Sequence, residues 1–210
     1  MPRILLIALI ALQSQVPLID LAAEPSRRTE LRSISGSGFS TDGPLPPKPI
    51  PPLAVRLESI STPPAQPAMR IVELLVTNVS GAPYSLPVGR DGDAAMKPGN
   101  RERREIWFRL RAPWKPGAPD RWVGGAETYA SLNTAGSLMT LRVGESVRVR
   151  FRVDLEFSSG AYELKKAGVS TPEVYAECED RYLDDNRTDT DYVVRDIRAR
   201  SENTLTLRFD

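Results

Sequence analysis

The chain has 210 residues, with 28 Lys and Arg residues against 27 Asp and Glu residues and a net charge of +1. This balance provides no overall field that would attract nucleic acid or an anionic membrane, so we predict no nucleic-acid partner. The single Cys and the lack of His exclude an intramolecular disulfide bond, metal sites built on imidazole, and catalysis by Ser-His-Asp or Cys-His groups. We therefore expect no cofactor, and any metal site would have to use oxygen ligands.

The N-terminus has the pattern of an export signal. A positive charge at Arg3 precedes nine apolar residues, Ile4–Leu12, after which the chain turns polar. Nine residues are too few to cross a bilayer, which takes about 20. We expect residues 1–23 to be removed as a signal peptide, with Leu21-Ala22-Ala23 the nearest match to a cleavage site, and the mature protein to be secreted or periplasmic without a membrane span.

Residues 24–52 have the composition of a linker. The stretch Glu24–Ser40 is polar and rich in Ser and Arg, and Pro44–Pro52 contains six prolines in nine residues. Proline has no backbone N–H to donate, so such a segment favours extended polyproline II at roughly 3 Å per residue. We expect a stiff, extended linker and no packed fold before Leu53.

The remaining residues, 53–210, have the two-residue period of β-strands. Apolar and charged residues alternate most clearly in Ile106–Arg111 and Val147–Leu155. Shorter candidate strands, bounded by Gly, Pro, Asn or Asp, are Val55–Ile60, Met69–Val79, Tyr84–Val88, Ser137–Val143, Val193–Ala199 and Leu205–Phe209. The segment Val174–Leu183 fits helical and strand spacing alike, and no long amphipathic helix is evident. This pattern predicts an all-β fold, an antiparallel β-sandwich over residues 53–210.

Four short segments carry a resemblance to a known class of modules. They are Leu75–Gly81, Leu141–Val149, Gly160–Leu164 and Ser201–Leu207. In this order they resemble the second core strand with its following turn, the Pro-Gly-Glu-Ser junction, the Gly-x-Tyr strand and the last strand of bacterial immunoglobulin-like or fibronectin-like modules of exported proteins. The chain departs from the pattern where Val143 replaces a proline and where Glu202 separates Ser from Asn. The resemblance implies an immunoglobulin-like sandwich, with Gly160–Leu164 as a strand, and leaves the function open.

Aromatic residues form the candidate ligand-binding site. The alternation assigns Ile106, Phe108 and Leu110 to the core. It places Trp107 beside Arg109 on the opposite, solvent-facing side, and Trp114 and Trp122 flank a loop rich in Pro and Gly. Exposed Trp and Arg side chains can stack on sugar rings or contact a protein partner. Alternatively, Arg109 packs on Trp107 as an internal cation–π contact.

An acidic loop is the candidate metal site. Its oxygen-bearing residues are Asp184, Asp185, Asn186, Asp189 and Asp191. They could hold calcium, although the loop lacks the central Gly and the terminal Glu of an EF-hand. Just before it, Cys178 faces inward if its segment is a strand, as a small buried apolar residue.

Charges of opposite sign are segregated along the chain. Residues 101–121 are predominantly basic, and residues 173–191 are predominantly acidic. The two segments can neutralise each other within the fold or between copies of the chain.

These observations predict an exported, non-enzymatic β-sandwich module that binds a protein or glycan partner, or acts as a spacer, at the cell surface or in the periplasm. One alternative is a carboxylate-based hydrolase of cell-surface glycan that uses a pair such as Glu177 and Asp180. Another is a secreted proteinase inhibitor that presents the loop between Trp114 and Trp122. The sequence specifies neither the ligand nor the oligomeric state.

Overall fold

The computed structural model describes residues 16–25, 52–92, 102–131, 136–184 and 192–209. The strands within these ranges are β1 (Leu18–Asp20), β2 (Leu53–Ser61), β3 (Met69–Asn78), β4 (Tyr84–Pro87), β5 (Glu102–Ala112), β6 (Arg121–Ser131), β7 (Leu138–Leu141), β8 (Ser146–Asp154), β9 (Glu173–Asp184), β10 (Tyr192–Arg200) and β11 (Leu205–Thr206). A helix, α1 (Ser159–Lys166), follows β8. None of the helices among the described residues has the length and apolar content needed to cross a membrane.

Two sheets form the fold. The first has the strand order β1-β8-β3-β2, and the second has the order β10-β9-β5-β6, with β11 also paired to β9. Strands β4 and β7 form a separate pair. The strand pairs are antiparallel except for β1 and β8, which are parallel. The predicted all-β, antiparallel sandwich is therefore confirmed.

The core lies between the two sheets and follows the two-residue period. In the first sheet, β3 and β8 pair so that Val72 lies opposite Phe151 and Leu74 opposite Val149, and all four are fully buried. In the second sheet, the side chains predicted to face inward on β5 are also buried: Ile106, Phe108 and Leu110. The predicted phases of both strands are confirmed.

The segment Val174–Leu183, whose sequence fitted both helical and strand spacing, is a strand. It forms most of β9, which lies between β5 and β10 and is hydrogen-bonded to both. The backbone N–H and C=O groups of β9 form hydrogen bonds with these two neighbouring strands. A helix forms its backbone hydrogen bonds within itself and could not pair with both strands. Val174, Ala176 and Cys178 face inward and are buried, as expected for a strand.

Strand β6 and helix α1 were not predicted from the sequence. Strand β6 contains Gly125, where an added Cβ would lie 2.3 Å from the backbone oxygen of Phe108, so glycine is needed for the close approach to β5. Helix α1 occupies the segment Gly160–Leu164, and the expectation of a strand there is wrong. The hydroxyl of Ser158 accepts a hydrogen bond from the Ala161 N–H at 3.0 Å and caps the helix, which favours helix over strand.

The expectation of no packed fold before Leu53 is also wrong. Strand β1 pairs with β8, and its neighbouring side chains Ile19 and Leu21 are buried in the core. Removal of residues 1–23, if it occurs, would therefore remove a strand from the first sheet. Residues 26–51 lie outside the described residues, and so does most of the predicted linker.

Candidate functional site

Trp107 lies on the predicted face of β5 but is covered by arginine side chains. Its ring is stacked between the guanidinium groups of Arg109, 4.2 Å from the ring centroid, and Arg181, 5.0 Å from it. Its indole Nε1–H donates a hydrogen bond to the Glu105 carboxylate at 3.1 Å, and Glu105 is fully buried. The structure therefore supports the alternative of an internal cation–π contact over a free binding platform.

The carboxylate of Glu179 holds these arginines in place. It lies opposite Trp107 on β9 and is buried. Its oxygens contact Arg109 and Arg181 at 2.7 Å each and Arg198 at 3.2 Å. Burial lowers the pKa of Arg109, and the charge of Glu179 acts against this shift. The basic and acidic segments thus neutralise each other across neighbouring strands.

Trp114 anchors the loop between β5 and β6. Its ring is half-buried against the core, and the Arg121 guanidinium lies 4.7 Å from its centroid. The Ala118 N–H donates to the Lys115 oxygen at 3.0 Å and closes a turn in this loop. Trp114 therefore supports the loop from beneath and does not present a ring to solvent.

Trp122 is the one exposed residue of the four predicted ligand-binding residues. Its side chain is 52% exposed at the start of β6. Two further exposed aromatic residues, on the segment that packs on β6, were not predicted as site residues: Phe157, 87% exposed, and Tyr162, 64% exposed. We call Trp122, Phe157 and Tyr162 the aromatic corner.

The aromatic corner is assembled by the packing of α1 on β6. A Cβ added at Gly160 would lie 2.1 Å from the Trp122 backbone oxygen, so the helix and the strand are in direct backbone contact. Arg121 and Glu163 add an ion pair at 2.7 Å between the two elements. In the chain, Phe157 lies three positions before this contact and Tyr162 two positions after it.

A buried tyrosine lies beside the corner on the outer face of the second sheet. Arg111 is opposite Trp122 on one side and opposite Tyr175 on the other. The Tyr175 hydroxyl donates to the Asp120 carboxylate at 2.6 Å, and the Arg200 guanidinium lies 3.5 Å from the ring centroid. Burial and the Asp120 carboxylate raise the pKa of Tyr175 to about 12, so its hydroxyl is protonated at neutral pH.

The carboxylates suggested for a hydrolase do not share a site. Glu177 faces outward and pairs with Arg111 at 3.0 Å. Asp180 faces inward, where it accepts hydrogen bonds from Arg104 at 2.7 Å and from the Tyr84 hydroxyl. Burial and the Asp180 charge raise the pKa of Tyr84 above its ordinary value. Because Glu177 and Asp180 are three positions apart on β9, their side chains lie on opposite faces of the sheet and cannot act on one bond.

The candidate calcium loop lies at the limit of the described residues. Asp184 ends β9, and the remaining four proposed ligands lie outside the described residues: Asp185, Asn186, Asp189 and Asp191. Within the described part of the chain, no group of three or more Asp, Glu or Cys side chains is arranged to hold a metal ion.

The sequence contained a signal for the two missed aromatic residues. Ser158 followed by Glu163, Leu164 and Lys165 is a capping residue before good helix formers. A helix starting there buries Ala161 and Leu164 and turns Tyr162 outward. Because the resemblance predicted a strand at Gly160–Leu164, the exposure of Tyr162 on a helix was not predicted.

Comparison with known proteins gives little further information. No protein-family model matches the chain, and no curated protein is detectably similar to it. Among solved structures, it is similar to the solution structure of a protein proposed to be a late embryogenesis abundant (LEA) protein. That match has 12% sequence identity and a TM-score of 0.32, and it covers 76% of this chain and 73% of the other. At this level of similarity the match carries no argument about function.

Proposed function

We propose that the chain is an exported, non-enzymatic β-sandwich module that binds a protein partner through the aromatic corner. The observation that carries the proposal is the exposure of three aromatic side chains, Trp122, Phe157 and Tyr162, where the segment that contains α1 is in direct backbone contact with β6. Aromatic side chains at the centre of an interface, with charged groups around them, are typical of protein binding hot spots.

The support of the corner favours binding over a purely spacing role. The Gly160 contact and the ion pair between Arg121 and Glu163 fix α1 on β6, and Trp114 packs below the same arginine. Rings held on fixed elements lose little conformational freedom when a partner binds. A spacer has no need for three exposed rings at one place.

Export rests on the N-terminal pattern, with a positive charge at Arg3 before the apolar residues Ile4–Leu12. Mass spectrometry of the mature protein tests this. An N-terminus at Glu24 would confirm cleavage after Ala23. Finding Met1 intact in soluble cytoplasmic protein would contradict export.

Site-specific photo-crosslinking in the native cells tests the binding role. A photo-reactive residue in place of Tyr162 should give a discrete crosslinked protein, and the same residue in place of the exposed Arg56 on β2 of the other sheet should not. Substituting Ala for both Trp122 and Phe157 should remove the crosslink without unfolding the chain. Equal crosslinking at positions 162 and 56 would contradict a binding site at the corner. Retention of the purified chain on a glycan array, lost in the same double variant, would assign the corner to glycan instead.

A further inference from the structure

The edge of β8 is occupied by a short segment that the chain supplies from a distance. On one side, β8 pairs with β3 along its length; on the other, it pairs in parallel with β1. The Arg148 N–H donates to the Pro17 oxygen, and the Leu21 N–H donates to the Arg150 oxygen, both at 2.8 Å. The backbone of residues 17–21 is therefore held as an added strand.

The side chains of this segment have a simple pattern. Ile19 and Leu21 point into the core and are buried, whereas Leu18 is 47% exposed. Asp20 points to the outer face, where its carboxylate forms an ion pair with Arg150. Arg150 also lies opposite Glu73 of β3, with its guanidinium 3.9 Å from the Glu73 carboxylate. The edge thus accepts an apolar, an acidic and an apolar residue in succession.

The connection of β1 to the rest of the sandwich is long. Twenty-six residues, 26–51, separate the described segment 16–25 from β2 and its preceding residue. Strands β1 and β2 form the opposite edges of one sheet. Strand β1 is therefore held in the sheet by its own side-chain contacts and backbone hydrogen bonds, as a separate peptide would be.

We propose that the edge of β8 is a strand-accepting groove for an extended segment of a partner protein with an apolar–acidic–apolar sequence, and that Leu18–Leu21 occupies it in the chain from which residues 1–23 have not been removed. Strand addition of this kind takes affinity from backbone hydrogen bonds and specificity from alternate side chains. This site is separate from the aromatic corner and does not depend on it.

The lengths of the strands favour a partner over a second copy of the chain. Strand β8 has nine residues, and β1 is in register with three of them, Arg148–Arg150. A longer partner strand can add ladder bonds that β1 does not make. The same segment from a second copy offers no additional bonds, and it competes with a tethered segment whose effective concentration is of the order of millimolar.

The test uses the full chain with a protease site inserted between Thr41 and Asp42, outside the described residues. After cutting, the N-terminal fragment is held by non-covalent contacts alone. The probe is a fluorescent peptide of residues 16–25, and its binding is measured by anisotropy. The cut chain should bind the peptide at least tenfold more tightly than the uncut chain, because cutting removes the tethered competitor.

Variant peptides test the register of the groove. A Leu21→Ala peptide should bind roughly tenfold more weakly, because Leu21 is buried, and a Leu18→Ala peptide should bind within about twofold of the parent. An Asp20→Arg peptide should bind weakly to the parent chain and recover binding to an Arg150→Glu chain. Circular dichroism and the melting temperature confirm that each chain variant is folded.

Three results would overturn the proposal. The first is equal binding of the Leu21→Ala and Leu18→Ala peptides. The second is a cut chain that neither releases its fragment nor takes up the peptide. The third is a dimer of the uncut chain in sedimentation that disappears on Leu21→Ala substitution, which would identify a second copy as the occupant.

Discussion

Substitutions at Trp107 and Phe108 compare the two faces of β5 directly. Phe108 is fully buried between the sheets, and Phe108→Ala should lower the free energy of unfolding by about 3–5 kcal/mol. Trp107→Ala removes a ring stacked between Arg109 and Arg181, and each such contact contributes about 0.5–1 kcal/mol. It also removes the donor to the buried Glu105 carboxylate, a bond of about 1.5–3 kcal/mol.

The expected loss for Trp107→Ala is therefore about 2.5–5 kcal/mol, close to that of the core phenylalanine. A ring that served only as an exposed binding platform would lose far less. Urea unfolding monitored by circular dichroism measures both variants, provided that the slope m is unchanged. Trp107→Phe is the matched control, because it keeps an aromatic ring for the two arginines and removes only the Nε1–H donor. Trp122→Ala serves as the exposed control and should cost less than about 1 kcal/mol.

Two outcomes would refute this reasoning. If Trp107→Ala lowers the free energy of unfolding by less than about 0.5 kcal/mol, the arginine layer does not pack on the ring. The ring would then be available to a ligand, as the sequence alone suggested. If Trp107→Phe costs as much as Trp107→Ala, the stacking contributes nothing and the loss comes entirely from the bond to Glu105.

Three further predictions concern the edges of the sandwich. Leu21→Ala should lower the free energy of unfolding by about 1–2 kcal/mol, because release of β1 limits the loss, and Leu18→Ala by less than about 0.5 kcal/mol; equal urea midpoints would show that β1 adds nothing to the stability of the sheet. Asn203→Ala removes both hydrogen bonds from its side chain to the backbone of β2, at 2.8 and 3.0 Å, and should lower the free energy of unfolding by about 1–3 kcal/mol; an unchanged melting temperature would contradict it. Hydrogen bonding to Arg150 lowers the pKa of Asp20 in the folded chain, so this pair's contribution is present above about pH 4 and is lost as the pH falls through the lowered pKa. The stability difference between the parent and Asp20→Asn, measured from pH 6 to pH 2, should therefore shrink with decreasing pH, and a constant difference would contradict the ion pair.

The phases of the long strands could be predicted because they depend on local pattern alone. In β8, alternate residues are apolar, and each of these is buried, from Val147 to Val153. In β5 the same rule places Phe108 inside and Trp107 outside. A period of two over five or more residues leaves only one arrangement that buries the apolar side, whichever strands lie alongside.

The exposure of an outward-facing residue, in contrast, depends on which strands are neighbours. Trp107 is covered because β9 places Glu179 opposite it, and this carboxylate holds Arg109 and Arg181 against the ring. About 60 residues separate the two strands in the chain, so no local pattern contains that pairing. The segregation of basic and acidic residues was the one sequence signal that these side chains pair. That the pairing joins β5 to β9 follows only from the order of strands in the sheet.

Strand β1 shows where local energies are too small to decide a structure. Burying Ile19 and Leu21 contributes about 3–6 kcal/mol in all, and ordering the four residues from Leu18 to Leu21 costs about 4–8 kcal/mol of backbone entropy. The difference is near zero, so the backbone bonds to β8 and the Asp20–Arg150 ion pair determine whether the segment stays in the sheet. These contacts come from residues more than 100 positions away, which is why the N-terminal sequence alone indicated only a segment for removal. The same near balance permits exchange, because a segment held so weakly can be displaced by a strand that makes a few more bonds along β8.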